Sequence, residues 1–349
     1  MKLIKKIVRS LYKRMWEDEF VSNCESTVYK ADLFLAKDLV PIYINNWDFS
    51  CYLNDDFSVT EKLKILQKGM DEKSKVLVEL VAKYYSFLQA AEIFQDKIYL
   101  ERSFCYNQEK HNKNYKLYKN KYDGKLPFDA YESSVFLYHC GLTEVPKEVL
   151  EYIKGKDFLD CGACFGDSGL VFSEYSPNKI YGFEPVTENL NYMKQTININ
   201  SLENVLIPVP FAVGDKNEKI NITIMGSGEC GMGNVINLKT GVNTEEINIT
   251  TIDDYLSGKD INPALIKMDL EGYETPALNG AIKTIKKYRP VLLISVYHNL
   301  HDFFEIKPWI ESLNLNYKFM FRNLKDLELL CDNMLIAYPA ELNELEYKN

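Results

Sequence analysis

Three acidic residues close three short apolar runs between residues 158 and 269 of this 349-residue chain. Asp160 follows Phe158-Leu159, Glu184 follows Tyr181-Gly-Phe183, and Asp269 ends Ile266-Lys-Met-Asp. After Asp160 come Gly162, Gly166 and the apolar Leu170-Val171-Phe172, a pattern that reads as a buried strand turning sharply into a helix. In open α/β sheets, ligands bind in the crevice outside the carboxyl ends of the strands. Acids at three strand ends therefore converge on one crevice. His298 directly follows a further apolar run, in Ser295-Val-Tyr-His298. An imidazole near its ordinary pKa of about 6.5 suits proton transfer, so His298 and Asp269 are the candidate catalytic pair.

The glycine spacing narrows the ligand. A dinucleotide turn reads G-x-G-x-x-G, its middle glycine letting backbone amides approach a pyrophosphate. Here the pattern is Asp160-x-Gly162-x-x-x-Gly166, with Cys164 where the middle glycine would stand. An acid at the strand end is a poor neighbour for phosphate and a good one for a cationic cofactor without phosphate. S-adenosylmethionine, with its sulfonium, ammonium and ribose diol, fits that description. Asp160, Gly162 and Gly166 are expected around its amino-acid part, and Glu184 at its ribose hydroxyls. Cys161-x-x-Cys164 has redox or half-zinc spacing, but no second pair stands at a compatible distance, and the pair reads as small residues in a tight loop.

Composition sets the limits on other functions. A net charge of −9 argues against broad nucleic-acid binding. Eight scattered cysteines and no signal-peptide pattern fit reduced thiols in a cytoplasmic protein. No run reaches the roughly 18 apolar residues of a membrane span. Residues 2–16 carry Lys2, Lys5, Lys6, Arg9, Lys13 and Arg14 opposite Ile4, Val8, Leu11 and Met15. That basic amphipathic helix suits either docking on its own domain or a partner subunit, as in a homo-oligomer, or peripheral contact with an anionic membrane.

These residues need elements to position them. The expected strands are 157–160, 179–183, 205–209, 264–268, 290–297, 316–321 and 334–338, with helices at about 167–175, 187–198, 273–287 and 303–313. Their alternation argues for a mostly parallel sheet with helices on both faces. Two short alternating strands, 219–224 and 247–250, bracket the glycine-rich loop 226–233, where Glu229 is a candidate acceptor contact. Upstream, Ser58-Val-Thr-Glu61 reads as a capping box, and apolar spacing continues through 73–95, giving an expected αα-hairpin. The basic, tyrosine-bearing segment 107–125 reads as a solvated helix or loop, with sugar or phosphate contact as the alternative. Two parts are expected: a mainly helical region over 1–125 and an α/β domain over 126–349.

Taken together, the motifs resemble the FkbM family of S-adenosylmethionine-dependent methyltransferases. The resemblance rests on Phe158-Leu-Asp-Cys-Gly-Ala-Cys-Phe-Gly166, Tyr181-Gly-Phe-Glu-Pro185, Ala212-Val-Gly-Asp215, Thr251-Ile-Asp-Asp254, Ile266-Lys-Met-Asp-Leu-Glu-Gly-Tyr-Glu274 and Tyr297-His298. It implies a class I, Rossmann-like methyltransferase fold: a seven-stranded, mostly parallel sheet whose last strand is antiparallel. It also implies methyl transfer, usually to a hydroxyl oxygen of a sugar or natural product, and so a small-molecule or glycan acceptor such as a surface-polysaccharide precursor. Ala163, Asp167, Pro185 and Ala212 join the expected cofactor set, and Glu271 and Tyr273 join Glu229 toward the acceptor. Where the family often has Asn in the glycine turn, this chain has Cys164. Asp269 with Glu271 or His298 offers a divalent cation an alternative place, but no residue is assigned as a metal ligand. A non-sugar acceptor, or cofactor binding without turnover, are the other readings.

Overall fold

The computed structural model describes residues 59–82, 108–224, 233–234, 244–325 and 329–343. Residues 2–16, residues 83–95 of the expected second helix, and Glu229 lie outside the described residues. Helices α1 (Val59–Gln67), α2 (residues 72–82), α3 (Gln108–Tyr122), α4 (Ser133–Phe136) and α5 (Lys147–Ile153) precede the sheet. Then β1 (Asp157–Cys161), α6 (Asp167–Phe172), β2 (Ile180–Phe183), α7 (Thr187–Asn200) and β3 (Leu206–Val209) alternate. Four short strands follow: β4 (Ala212–Val213), β5 (Glu218–Ile224), β6 (Gly233–Asn234) and β7 (Thr244–Thr250). The chain finishes through α8 (Ile252–Leu256), β8 (Pro263–Met268), α9 (Glu274–Asn279), α10 (Ile282–Tyr288), β9 (Val291–Ser295), α11 (Leu300–Ser312), β10 (Tyr317–Asn323) and β11 (Asn333–Pro339).

Seven strands form one sheet in the order β10-β11-β9-β8-β1-β2-β3, parallel except for β11, which runs antiparallel to both β9 and β10. This is the class I methyltransferase fold expected from the sequence. Every residue of β1, β8 and β9 is buried, as a parallel sheet covered on both faces requires. Successive side chains feed two apolar layers. Leu159, Ile266, Leu292 and Ile294 enter one with α9, α10 and α11, while Phe158, Leu265, Val291 and Leu293 enter the other with α5, α6 and α7. Because β1, β2, β3, β8 and β9 all point the same way, their carboxyl ends share one edge. The strands β4-β7-β5-β6 form a second, four-stranded sheet, continued in sequence from that edge.

Several boundaries differ from the sequence reading for local reasons. The helix expected over 273–287 is two helices. A Cβ on Gly280 would lie 2.0 Å from the Gly214 carbonyl oxygen, so β4's exit strand passes directly over the break. Helix α11 starts at Leu300 because the Asn299 side chain accepts from the Asp302 amide. Segment 107–125 is not merely a solvated helix: Tyr118 and Tyr122 of α3 are buried in the second apolar layer, and the Tyr122 hydroxyl donates to Glu174. No helix among the described residues is long and apolar enough to cross a membrane.

The described helices of the N-terminal part are fastened to the sheet edge. Leu66, Met70, Val78 and Val81 belong to the first apolar layer. Asp71 caps α2 through the Ser74 amide, and the Ser74 hydroxyl accepts from the Phe321 amide of β10. Buried Arg322 donates to Ser74 Oγ (2.7 Å), Asp71 Oδ2 (3.1 Å) and Glu144 Oε2 (2.9 Å). Burial opposes ionisation of both acids. For Asp71 the Ser74 amide and Arg322 outweigh it, and for Glu144 Lys73 and Arg322 do, so both carboxyls sit below their ordinary range.

Replacing Arg322 with Met leaves Asp71 without its cation and Glu144 with Lys73 alone, but Asp71 keeps over a third of its side chain exposed. The expected loss is therefore roughly 2–4 kcal/mol near neutral pH, at or below the cost of breaking a wholly buried pair. A carboxylate with a lowered folded pKa stabilises above its ordinary value and ceases to do so as the pH falls through the folded one. The deficit of R322M in urea unfolding should thus shrink on acidification; an equal deficit at neutral and acid pH would contradict the assigned network.

Candidate active site

The site grows from the register of β1 and β8, in which Asp160 stands directly opposite Lys267. Both are buried in the middle of the sheet. Lys267 Nζ lies 3.4 Å from Asp160 Oδ1 and donates to the Gly162 carbonyl (2.9 Å), while Ser168 Oγ donates to Asp160 Oδ2 (2.6 Å). Burial disfavours charge on Lys267, but Asp160 and then Asp269 outweigh it and hold the ammonium well above its usual range. The Asp160 carboxylate thus braces the turn from beneath, facing Lys267 and Ser168.

Above that brace the turn is held by its backbone. Gly162 and Ala163 amides donate to the Phe183 carbonyl, and the Cys164 amide donates to Glu184 Oε2 (3.1 Å). Gly162, Cys164 and Gly166 all have positive φ, at 81°, 44° and 80°. The two glycines answer to protein packing: a Cβ on Gly162 would lie 2.0 Å from the Asp269 carbonyl oxygen, and one on Gly166 2.9 Å from Met193 Cγ. A side chain at either position would therefore meet the neighbouring strand end or α7. Cys161 is buried in the apolar layer, where burial pushes its thiol up, so it is a poor nucleophile.

Glu184 lies at the end of β2 as expected. Its Oε1 accepts from the Val186 amide (2.8 Å) and Asn189 (3.3 Å), and its Oε2 from Cys164. Each oxygen keeps acceptor capacity, since a carboxylate offers about four lone-pair sites. Burial pushes its pKa up despite these bonds. Asp167, half-buried at the start of α6, is raised to about 6, chiefly by burial. Ala163 is buried, Pro185 is half-buried beside Glu184, and Ala212 opens β4 just beyond β3. All belong to the same carboxyl edge.

A second cluster forms at the ends of β8 and β9. Asp269 is tied to the turn by its amide, which donates to the Cys161 carbonyl (3.1 Å). His298 is 3% exposed. Its Nδ1 is 3.0 Å from Glu274 Oε1, and its Nε2 is 3.6 Å from Asp269 Oδ1 and 3.5 Å from Glu271 Oε2. Burial works against charge on the ring, yet Glu274, then Asp269 and Glu271, hold its pKa up at about 10. Among these acids the ring favours the protonated form at neutral pH. Burial raises Glu271 to about 8, with His298 opposing. Asp269 keeps about a third of its side chain exposed.

The structure therefore brings together Asp269, Glu271 and His298, adds Glu274, and places them against the Gly162–Glu184 turn. The Tyr273 ring lies against Gly214, the residue after β4. Sequence reasoning gave Lys267 no role. The available signal was a lysine within the wholly apolar run Ala264–Met268, which requires a buried acid on an adjacent strand.

Residues 160–319 match the Methyltransferase FkbM domain. Among solved structures, the chain is similar to the methyltransferase FkbM from Methylobacillus flagellatus KT, with a TM-score of 0.55 and 19% identity over 85% of this chain and 62% of that one. The chain thus spans less than two thirds of that relative's length. An rRNA methylase from Streptococcus thermophilus aligns with a TM-score of 0.35 and 12% identity over 61% of this chain and 98% of that one. A tRNA m1G37 methyltransferase from M. jannaschii aligns with a TM-score of 0.30 and 12% identity over 60% of this chain and 49% of that one. Neither of the last two bears on substrate. No curated protein sequence matches the chain.

The Asp160–Lys267 pair makes a direct prediction. Lys267→Met should lower stability in urea unfolding by about 3–5 kcal/mol, because it strands a buried carboxylate. Adding Asp160→Asn should restore much of that loss; a double variant as unstable as the sum of the two singles would show that the two residues do not act as a pair.

Proposed function

We propose that this chain, whose residues 160–319 match the Methyltransferase FkbM domain, transfers a methyl group from S-adenosylmethionine to a hydroxyl oxygen, in a sugar of a glycan precursor. One observation carries the reading: the Gly162–Glu184 turn and the Asp269–Glu271–His298 cluster meet at a single sheet edge, Gly162 packed on the Asp269 carbonyl. A donor held by the turn and an acceptor held by the cluster would be neighbours.

The residues of the turn fit the cofactor. Glu184 retains lone pairs for a ribose diol, and the acids of this edge suit a cation. Lys267, the lysine at these strand ends, is committed to Asp160 and Gly162, so it does not serve a pyrophosphate. When bound, S-adenosylmethionine supplies a methyl group activated by a sulfonium and open to in-line displacement. The chain's part is then alignment of the acceptor oxygen and removal of its proton. The carboxylate of Asp269, partly exposed beside His298, is the group that receives that proton.

Support for a sugar comes from the family resemblance alone, since Tyr118 and Tyr122 serve the core instead of a binding face. Two measurements test the proposal. S-adenosylhomocysteine should accumulate only when a sugar acceptor from a panel of nucleotide sugars and glycans is added. Glu184→Gln should weaken calorimetric binding of S-adenosylmethionine by about tenfold or more, in keeping with a lost charge-assisted hydrogen bond. Tight cofactor binding without acceptor-dependent product sinks the enzyme reading, and unchanged affinity in E184Q removes Glu184 from the ribose site.

A further inference from the structure

We propose that Asp269, Glu274 and His298 form a site for one divalent cation at the carboxyl ends of β8 and β9. Three buried polar atoms converge there without a hydrogen-bond partner, Asp269 Oδ1, Glu274 Oε2 and His298 Nε2, while His298 Nδ1 is held 3.0 Å from Glu274 Oε1. One donor atom from each of the three residues lies within 4.8 Å of the other two. Leaving a buried polar atom unsatisfied costs roughly 1–3 kcal/mol, so three at one point call for a common partner.

The spacing has the character of a ligand shell. His298 Nε2 stands 3.6 Å from Asp269 Oδ1 and 3.5 Å from Glu271 Oε2. Those separations are too long for good hydrogen bonds. They are close to the roughly 3.0–3.4 Å between neighbouring ligands when each bond to a metal is about 2.1 Å. The charges agree: three carboxylates face one imidazole, and Lys267 is taken by Asp160.

The donors are also fixed from behind, as metal ligands generally are. Glu274 Oε1 accepts from the Leu270 amide (2.7 Å), and the Asp269 amide is bonded to Cys161. Gly272 turns between them at φ 93°. Two carboxylate oxygens and an imidazole nitrogen suit Mn²⁺, Mg²⁺ or Zn²⁺ better than a soft ion. Glu271 stays beside the same ring as a further carboxylate. A cation here would polarise an acceptor hydroxyl. That role rests on the methyl-transfer reading, whereas the site itself does not.

Mn²⁺ tests the site directly, without donor or acceptor. The full chain, stripped with a chelator, should bind one Mn²⁺ per molecule in calorimetry and quench the aqueous Mn²⁺ signal in electron paramagnetic resonance. Asp269→Asn and Glu274→Gln, each confirmed folded by circular dichroism, should weaken binding at least tenfold. If E274Q fails to fold, the partly exposed D269N and the wild-type stoichiometry still decide. Absence of Mn²⁺ binding by the wild-type chain, or equal affinity in the folded variants, would overturn the proposal and leave an imidazolium ring as the cluster's only counter-charge.

Discussion

Lys267 brings a positive charge into the middle of an apolar, doubly covered sheet, where an unpaired ammonium is prohibitively costly. Asp160, its register partner, makes that position tenable, and the remaining hydrogen-bonding reach of the ammonium goes to the Gly162 carbonyl. One side chain therefore ties the end of β8 to the turn after β1. The Asp269 amide on Cys161 and the absent Cβ of Gly162 draw the same two segments together from above. Everything proposed for the site depends on this fastening, because it sets the cofactor turn and the acceptor cluster edge to edge.

Around that junction, acidic groups accumulate beyond what the local cations balance. Glu184 meets its charge with two amides and an asparagine, bridging the loops after β1 and β2. The cluster at β8 and β9 is less settled: His298 faces three carboxylates, and several polar atoms there have no hydrogen-bond partner. Such a concentration is costly to fold and useful for proton transfer or cation binding. The second sheet buttresses the same region, since the Gly214 carbonyl packs on Gly280 and Tyr273 packs on Gly214.

Much of this was legible in the sequence. The apolar runs before Asp160, Glu184 and Asp269 placed β1, β2 and β8 within a residue or two, since a buried parallel strand has little freedom in composition. The resemblance carried by the motif set also implied the antiparallel last strand. What it concealed were relations between strands. Nothing in the sequence pairs Asp160 with Lys267, and nothing in it sets the Asp269 carbonyl against Gly162. Helix propensity likewise ran through 273–287, while the break comes from a distant backbone crossing Gly280. The segment 107–125 read as a solvated helix or loop because periodicity alone does not say what a helix lies against.

A crystal structure of the full chain with S-adenosylhomocysteine tests the account most directly. It should show the ribose hydroxyls on Glu184, the sulfur facing Asp269, Glu271 and His298, and Lys267 still bonded to Asp160 and Gly162. A ligand seated away from the Gly162–Glu184 turn, or one in direct contact with an Asp160 released from Lys267, would contradict it.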